Sequence, residues 1–155
     1  MLKYKRVLLK LSGEALQGKS ANPIDNETLT FFISQIKDIV ERNVQVGIVI
    51  GGGNFFRGIG GLLSGIDRVT GDNMGMLATV MNGLALESAF KESGLSAKLF
   101  TAFTMGPVGA RFSAKDASAF LNHGHIVIMA GGTGNPFFTT DTAAALRAVD
   151  RKSVV

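Results

Sequence analysis

The sequence predicts an α/β protein built on a mainly parallel sheet with helices on both faces. Two patterns carry that prediction. Short apolar runs rich in valine, isoleucine and leucine alternate with longer segments of helical period, which implies right-handed βαβ crossovers. The run at 44–50 is apolar almost throughout, as in a parallel strand covered on both sides. In such sheets ligands bind beyond the carboxyl ends of the strands, and each candidate site below falls at such an end.

Residues 6–11, R-V-L-L-K-L, form the first expected strand, ended by Ser12 and Gly13. After a polar loop with Pro23, Asp25 or Asn26 can cap a helix in which Leu29, Phe32, Ile33, Ile36 and Val40 recur at helical spacing through Asn43. The second strand, 44–50, ends in Gly51, Gly52, Gly53 and Asn54. From about residue 72 to 93, Leu77, Val80, Met81, Leu84 and Ser88 mark a long helix stopped by Gly94. Its methionines Met74, Met76 and Met81 are expected to fill core. A third strand follows near 97–102. Ser113, with Asp116 three residues on, signals another helix start and Gly124 its stop. The fourth strand, 125–130, then runs into a glycine-rich loop that opens a further helix.

At 155 residues and 46% hydrophobic content the chain suits one domain with a real core. Its net charge of +4 comes from scattered Lys and Arg, which reads as a solvated surface rather than a nucleic-acid face. The absence of cysteine excludes disulfides and thiolate metal sites, and two histidines leave little for zinc. The apolar runs are strand-length, well below the roughly 20 residues of a membrane span, and M-L-K-Y-K-R does not open a signal peptide. A cytoplasmic protein with no membrane or nucleic-acid partner is expected.

The chemistry concentrates at glycine loops. Residues 133–142 read T-G-N-P-F-F-T-T-D-T. Backbone N–H groups at a helix N-terminus attract anions, and glycine lets the chain approach a phosphate closely. Asn135, Thr139, Thr140 and Asp141 add directional hydrogen bonds, while Phe137 and Phe138 can shape a slot for a base. Residues 51–58, G-G-G-N-F-F-R-G, can form an N–H nest, with Arg57 adding a charge-assisted grip. The pattern is neither G-x-G-x-x-G nor G-x-x-x-x-G-K-[ST], so Rossmann and P-loop readings lose support. Lys10, near the end of a buried strand, calls for an anion. Asp72 serves either as a helix cap or as an acceptor for ribose hydroxyls. His123 and His125 flank a helix stop and a strand start, where capping or solvation explains them. With no Ser-His-Asp set, carboxylate pair or metal-ligand cluster, cations and N–H nests around phosphates remain. That inventory suits phosphoryl transfer, with Mg²⁺ as the usual partner.

The chain resembles the bacterial uridylate kinases (UMP kinases), members of the amino acid kinase family. Four motifs in order carry the resemblance: K-R-V-L-L-K-L-S-G-E-A-L at 5–16, V-I-G-G-G-N-F-F-R-G at 49–58, G-D-N-M-G-M-L-A-T-V-M-N-G-L-A at 71–85 and G-T-G-N-P-F-F-T-T-D at 132–141. The resemblance implies a three-layer α/β sandwich, incomplete at the C-terminus, from a homohexamer that moves the ATP γ-phosphate onto UMP with Mg²⁺ and yields UDP for pyrimidine nucleotide synthesis. It further implies that Lys10, with Ser12 and Gly13, contacts the ATP phosphates, and that Gly53 and Arg57 reach the phosphates at the reaction centre. Lys10 and Arg57 are thereby the expected catalytic cations. Gly52 and Asp72 would meet UMP, as would the loop of Thr133, Gly134, Asn135, Pro136, Phe137, Phe138, Thr139 and Thr140. Within that loop Thr133 and Asn135 would lie towards uracil and Thr140 towards the acceptor phosphate. No protein ligand to the metal is implied.

Departures from the pattern limit the carry-over. Residues 18–25, G-K-S-A-N-P-I-D, replace the glycine-containing E-G-F-G-I-D of relatives activated by GTP, so that activation is not implied. The family's later ATP-binding strand and adenine-holding elements have no match, so an N-terminal UMP-binding portion at 1–149, inactive by itself, is expected. Residues 150–155, D-R-K-S-V-V, depart from the family pattern and are expected to be a non-native tail. Two alternatives stay open: a non-catalytic nucleotide-binding regulatory module, and a related kinase acting on a small carboxylate or carbamate.

Overall fold

The structure, a computed structural model, describes residues 3–19, 21–55 and 65–151. Strand β1 (Arg6–Leu11) leads at once into a short helix, α1 (Gly13–Gln17), which the sequence pattern did not signal. Helix α2 (Asn26–Glu41) starts where Asp25 accepts the Thr28 N–H at 2.9 Å, and β2 (Gln45–Ile50) follows. Helix α3 (Arg68–Glu92) is the longest element and returns the chain to β3 (Ala97–Thr101). A two-residue strand, β4 (Ala110–Arg111), precedes α4 (Ala114–Asn122), whose cap is Ser113 accepting from the Asp116 N–H. The chain continues through β5 (Ile126–Ala130) into α5 (Thr140–Arg151). That last helix passes position 149 without a break.

The strands form one sheet in the order β1-β2-β5-β3-β4, with every pair parallel. Alternate side chains of the central strands therefore enter two separate cores, as the period of two requires. On one face Val46, Ile48, Ile50, Leu99, Ile126 and Ile128 pack with Ile33 and Ile36 of α2 and Val80, Leu86 and Phe90 of α3. On the other, Leu8, Val49, Phe100, Val127 and Met129 pack with Ala117 and Leu121 of α4 and with Ala143, Ala144 and Ala148 of α5. The result is the expected three-layer sandwich. At the β3 edge, where short β4 stops pairing, the Glu87 carboxylate accepts the Leu99 N–H at 2.9 Å in place of a neighbouring strand.

Helix α3 corrects two expectations. It begins four residues before Asp72, capped by Asp67, whose carboxylate accepts the N–H groups of Val69 and Thr70. Asp72 is thus not a cap. The buried face is built from Gly71, Ala78, Thr79, Val80, Asn82, Gly83, Leu86 and Phe90, while Leu77, Met81 and Leu84 form an exposed stripe. Met81 is half exposed rather than core, and Met76 is only partly buried. Small residues face the sheet because α3 lies close against it. A Cβ on Gly83 would stand 2.7 Å from Leu99 Cδ1.

This assignment of faces is open to a direct comparison in urea unfolding. Leu86→Ala, which empties a fully buried position, is expected to cost about 2–5 kcal/mol. Leu84→Ala, two residues away on the exposed stripe, should cost clearly less than Leu86→Ala at a chain concentration low enough to keep the protein monomeric.

Candidate functional site at the carboxyl ends of the strands

A cavity of about 640 Å³ opens beyond the carboxyl ends of β2 and β5, walled by the glycine loop after β2, the first three turns of α3 and the loop from β5 to α5. Of the residues predicted from sequence it gathers Gly52, Gly53, Asp72, Thr133, Asn135, Phe138, Thr139 and Thr140. Gly134, Pro136 and Phe137 belong to the same loop but are not part of the wall. The cavity also takes in Arg68, Gly75, Met76 and Thr79, which sequence reading did not assign to a site. Their signal was present: positions 68, 72, 75, 76 and 79 share one face of a helix. The expected helix began too late to include Arg68.

Close backbone approach makes the glycine wall possible. A Cβ on Gly52 would stand 2.8 Å from both the Ala78 Cβ and the Gly75 carbonyl oxygen, and 3.1 Å from the Thr79 nitrogen. On the opposite side of the same loop, a Cβ on Gly13 would stand 2.7 Å from the Gly51 oxygen and from the Gly53 nitrogen. The turn after β1, with Ser12 and Gly13, therefore abuts the back of the wall whose front faces the cavity. Two asparagines lock this seam. Asn82, fully buried, donates through Nδ2 to the Gly51 carbonyl at 2.7 Å and to Asn54 Oδ1 at 2.7 Å. Asn54 Nδ2 in turn donates to Asn82 Oδ1 at 2.8 Å and to the Pro23 carbonyl at 2.7 Å. From α3, Thr79 Oγ1 accepts the Gly131 N–H at 2.7 Å and donates to the Met76 carbonyl, tying the helix to the end of β5.

The loop after β5 turns through left-handed glycines at Gly131, Gly132 and Gly134 and then through Phe137 at φ 70°. A bulky residue in that region is strained by roughly 1–2 kcal/mol and needs an external hold. Asp72 supplies it, accepting the Phe137 N–H through Oδ2 at 2.7 Å. Arg68 Nε straddles the same carboxylate at 2.9 and 3.0 Å, and its guanidinium lies 5.8 Å from the Phe137 ring centroid. The Phe137 N–H, and after it Arg68, hold the Asp72 carboxyl below the ordinary aspartate value of 3.8. Phe137 and Phe138 are exposed, and Phe138 lines the cavity. Thr139 caps α5, its Oγ1 accepting the Thr142 N–H at 3.2 Å, so the first turn of that helix faces the cavity through Thr140.

Lys10 is not buried. Its Nζ pairs with Asp141 Oδ1 at 3.1 Å across the start of α5, and Asp141 is 77% exposed. An exposed pair of this kind is worth about 1 kcal/mol or less, so an incoming phosphate can take the ammonium from the carboxylate. Arg57 lies outside the described residues. His123, whose Nδ1 meets the Ala119 carbonyl, and His125, edge-on to Phe120, stand at the amino end of β5 away from the cavity. Among the described residues no group of three or more His, Asp or Glu side chains is placed to hold a metal ion, and no helix is long and apolar enough to cross a membrane.

Glycine N–H groups, a helix N-terminus and an ion-paired lysine thus gather at the carboxyl edge of a parallel α/β sandwich, the edge where open α/β sheets receive their ligands. The amino acid kinase family model matches residues 5–152, and the chain belongs to that family. It is 55% identical over 150 residues to a uridylate kinase of Bacteroides thetaiotaomicron, covering 97% of this chain and 64% of that protein. Among solved structures it is similar to a UMP kinase from Bacillus anthracis, with TM-score 0.92 and 39% identity over 97% of this chain and 62% of that one. A UMP kinase from Ureaplasma parvum matches with TM-score 0.91 and 35% identity, over 99% of this chain and 65% of that one. The chain thus spans under two thirds of the length of these relatives.

Removing the Asn82 amide strands the Gly51 carbonyl and the Asn54 side chain, so Asn82→Ala should destabilise the chain by about 1–3 kcal/mol in urea unfolding. The Asp72 hydrogen bond has a definite pH sense. Because its folded pKa is depressed, its contribution is fully present above 3.8 and is lost as pH falls through the lower folded value. The protection factor of the Phe137 amide against solvent exchange, followed by NMR, is expected to hold down to the ordinary aspartate value of 3.8 and to fall as pH drops through the lower folded value. Unchanged protection in Asp72→Ala, which removes the acceptor, would contradict the hold on the loop.

Proposed function

We propose that the parent activity is transfer of the ATP γ-phosphate to UMP, giving UDP for pyrimidine nucleotide synthesis in the cytoplasm, and that this chain provides the acceptor side. The observation that carries the reading is the gathering of Gly52, Asp72, Thr133, Asn135, Phe138, Thr139 and Thr140 around one cavity of about 640 Å³. Uracil sits between Thr133 and Asn135 and against Phe138, the ribose hydroxyls meet Asp72, and the acceptor phosphate approaches Thr140 and the α5 N-terminus. A small carboxylate or carbamate acceptor would leave most of that volume unfilled. The names of the relatives point the same way.

In the proposed reaction an oxygen of the UMP phosphate attacks the γ-phosphorus while the bond to the ADP oxygen breaks. The protein's task is alignment and charge neutralisation rather than covalent chemistry. Lys10 exchanges Asp141 for the transferring group, Arg57 adds the second cation, and Ser12, Gly13 and Gly53 present backbone to the ATP phosphates. Mg²⁺ bound with ATP would supply further neutralisation of the phosphate charge. The exposed stripe of Leu77, Met81 and Leu84, with Phe31 on α2, supports a homo-oligomer, and a hexamer is the proposed form.

Calorimetry on the 155-residue chain is expected to detect UMP in preference to CMP, with no heat from aspartate. Asp72→Ala should weaken UMP by about tenfold or more, since the charged acceptor for the ribose hydroxyls is removed. Equal affinity for UMP and aspartate, or no UMP binding, would sink the acceptor assignment. In sedimentation velocity the pair Met81→Glu and Leu84→Glu should shift the chain to a smaller species. An unchanged distribution would remove α3 from the interface.

A further inference from the structure

Arg68 is the charged residue of the cavity wall that the functional reading leaves without a task. Its guanidinium has five N–H donors, and among the described residues Nε is the one engaged with protein, on the Asp72 carboxylate. The side chain is 67% exposed and packs nothing into the core, so stability alone does not explain it. What it contacts is selective: both oxygens of Asp72 at 2.9 and 3.0 Å, and the ring of Phe137 at 5.8 Å. The Phe137 N–H also donates to Oδ2, at 2.7 Å.

We infer that Arg68 is a positioning residue that fixes the rotation of the Asp72 carboxylate so that the acceptor position left open on Oδ1 meets the 2′-hydroxyl of a ribose, making the site selective for a ribonucleotide over its 2′-deoxy counterpart. This rests on the reading of the cavity as a UMP site. A carboxylate carries about four acceptor positions. The Arg68 Nε–H is shared between the two oxygens and the Phe137 N–H takes a second position on Oδ2, which leaves Oδ1 the less occupied oxygen of a residue that lines the cavity. Without Arg68 the carboxylate keeps a single anchor, the Phe137 N–H, and is free to turn about its terminal torsion. The open position on Oδ1 is then no longer held towards the 2′-hydroxyl. The stack on Phe137 adds a second effect, because the same side chain that orients Asp72 also holds the strained residue at φ 70° in place.

The test compares UMP with 2′-deoxy-UMP by calorimetry on the 155-residue chain and on Arg68→Gln and Arg68→Lys. The exposed position protects the variants from misfolding, and their urea midpoints verify this. For the parent chain UMP should bind more tightly than 2′-deoxy-UMP. In Arg68→Gln, UMP is expected to weaken by about tenfold and 2′-deoxy-UMP much less, so the ratio collapses towards one. Arg68→Lys, which restores charge but not the planar fork, should recover little of that ratio. A ligand-free readout stands beside these. Arg68 is the charged group acting on Asp72 among the described residues, so the NMR titration midpoint of the Asp72 carboxyl should rise in Arg68→Gln. Equal losses for both nucleotides, or an Asp72 midpoint that does not move, would overturn the inference while leaving UMP binding intact. Absence of UMP binding by the parent chain would instead remove the functional reading, and this inference with it.

Discussion

The site depends on how closely α3 can lie against the end of β2. Gly52 has no side chain, and only a glycine leaves room for the Ala78 methyl and the Gly75 carbonyl that a Cβ would meet at 2.8 Å. Asn82 then fastens the helix to the loop through the Gly51 carbonyl and the Asn54 amide, a fully satisfied polar pair in a buried position. Because the seam is tight, the first turns of α3 are carried out over the carboxyl edge of the sheet. That overhang turns one helix face, from Arg68 to Thr79, into a wall of the cavity. A bulkier residue at Gly52 would push the overhang away and widen the cavity into a surface groove.

Electrostatics at this edge follow from the same placement. Asp72 stands on the overhang, where the strained Phe137 backbone and the Arg68 guanidinium both use its carboxylate. Lys10 stands on the opposite flank, beyond the glycine loop, with its charge lent to exposed Asp141. An anionic group entering between α5 and the glycine loop meets a cation whose present partner is easily exchanged and a helix N-terminus whose N–H groups are oriented towards it. On the proposed reading these two flanks divide the labour, with Asp72 addressing the sugar and Lys10 the moving phosphate.

Much of this was legible in the chain, and the reasons differ by element. Asp25 and Ser113 revealed helix starts because capping is a local side-chain reaction to the backbone, and both accept the N–H expected of them. Strands at Arg6–Leu11 and Gln45–Ile50 were readable because both cores draw on them and leave little room for polar residues. β4 left no trace, since two residues carry no periodicity. For α3 the signal misled: the largest apolar residues, Leu77, Met81 and Leu84, lie outward, while Ala78, Thr79, Asn82 and Gly83 face the sheet. Hydrophobic pattern reports burial only where the buried surface needs bulk, and a tightly seated helix needs small residues instead. The glycine loops and Asp72 were picked out as candidates because their chemistry is explicit, and Gly52, Gly53, Asp72 and Thr133 line one cavity. Arg68 escaped because its role appears only when Asp72 and Phe137, 65 positions apart, are brought together.

The central claim is that one cavity, between the glycine loop, the α3 overhang and the loop from β5 to α5, receives the acceptor nucleotide. Mapping amide chemical-shift changes across the chain during a UMP titration tests it most directly. The account predicts saturable changes concentrated at Gly52, Gly53, Arg68, Asp72, Thr133, Asn135 and Thr140, with the Phe137 amide following Asp72. Changes centred instead on the amino ends of the strands, around Asn43, Gln45 and His125, would contradict it.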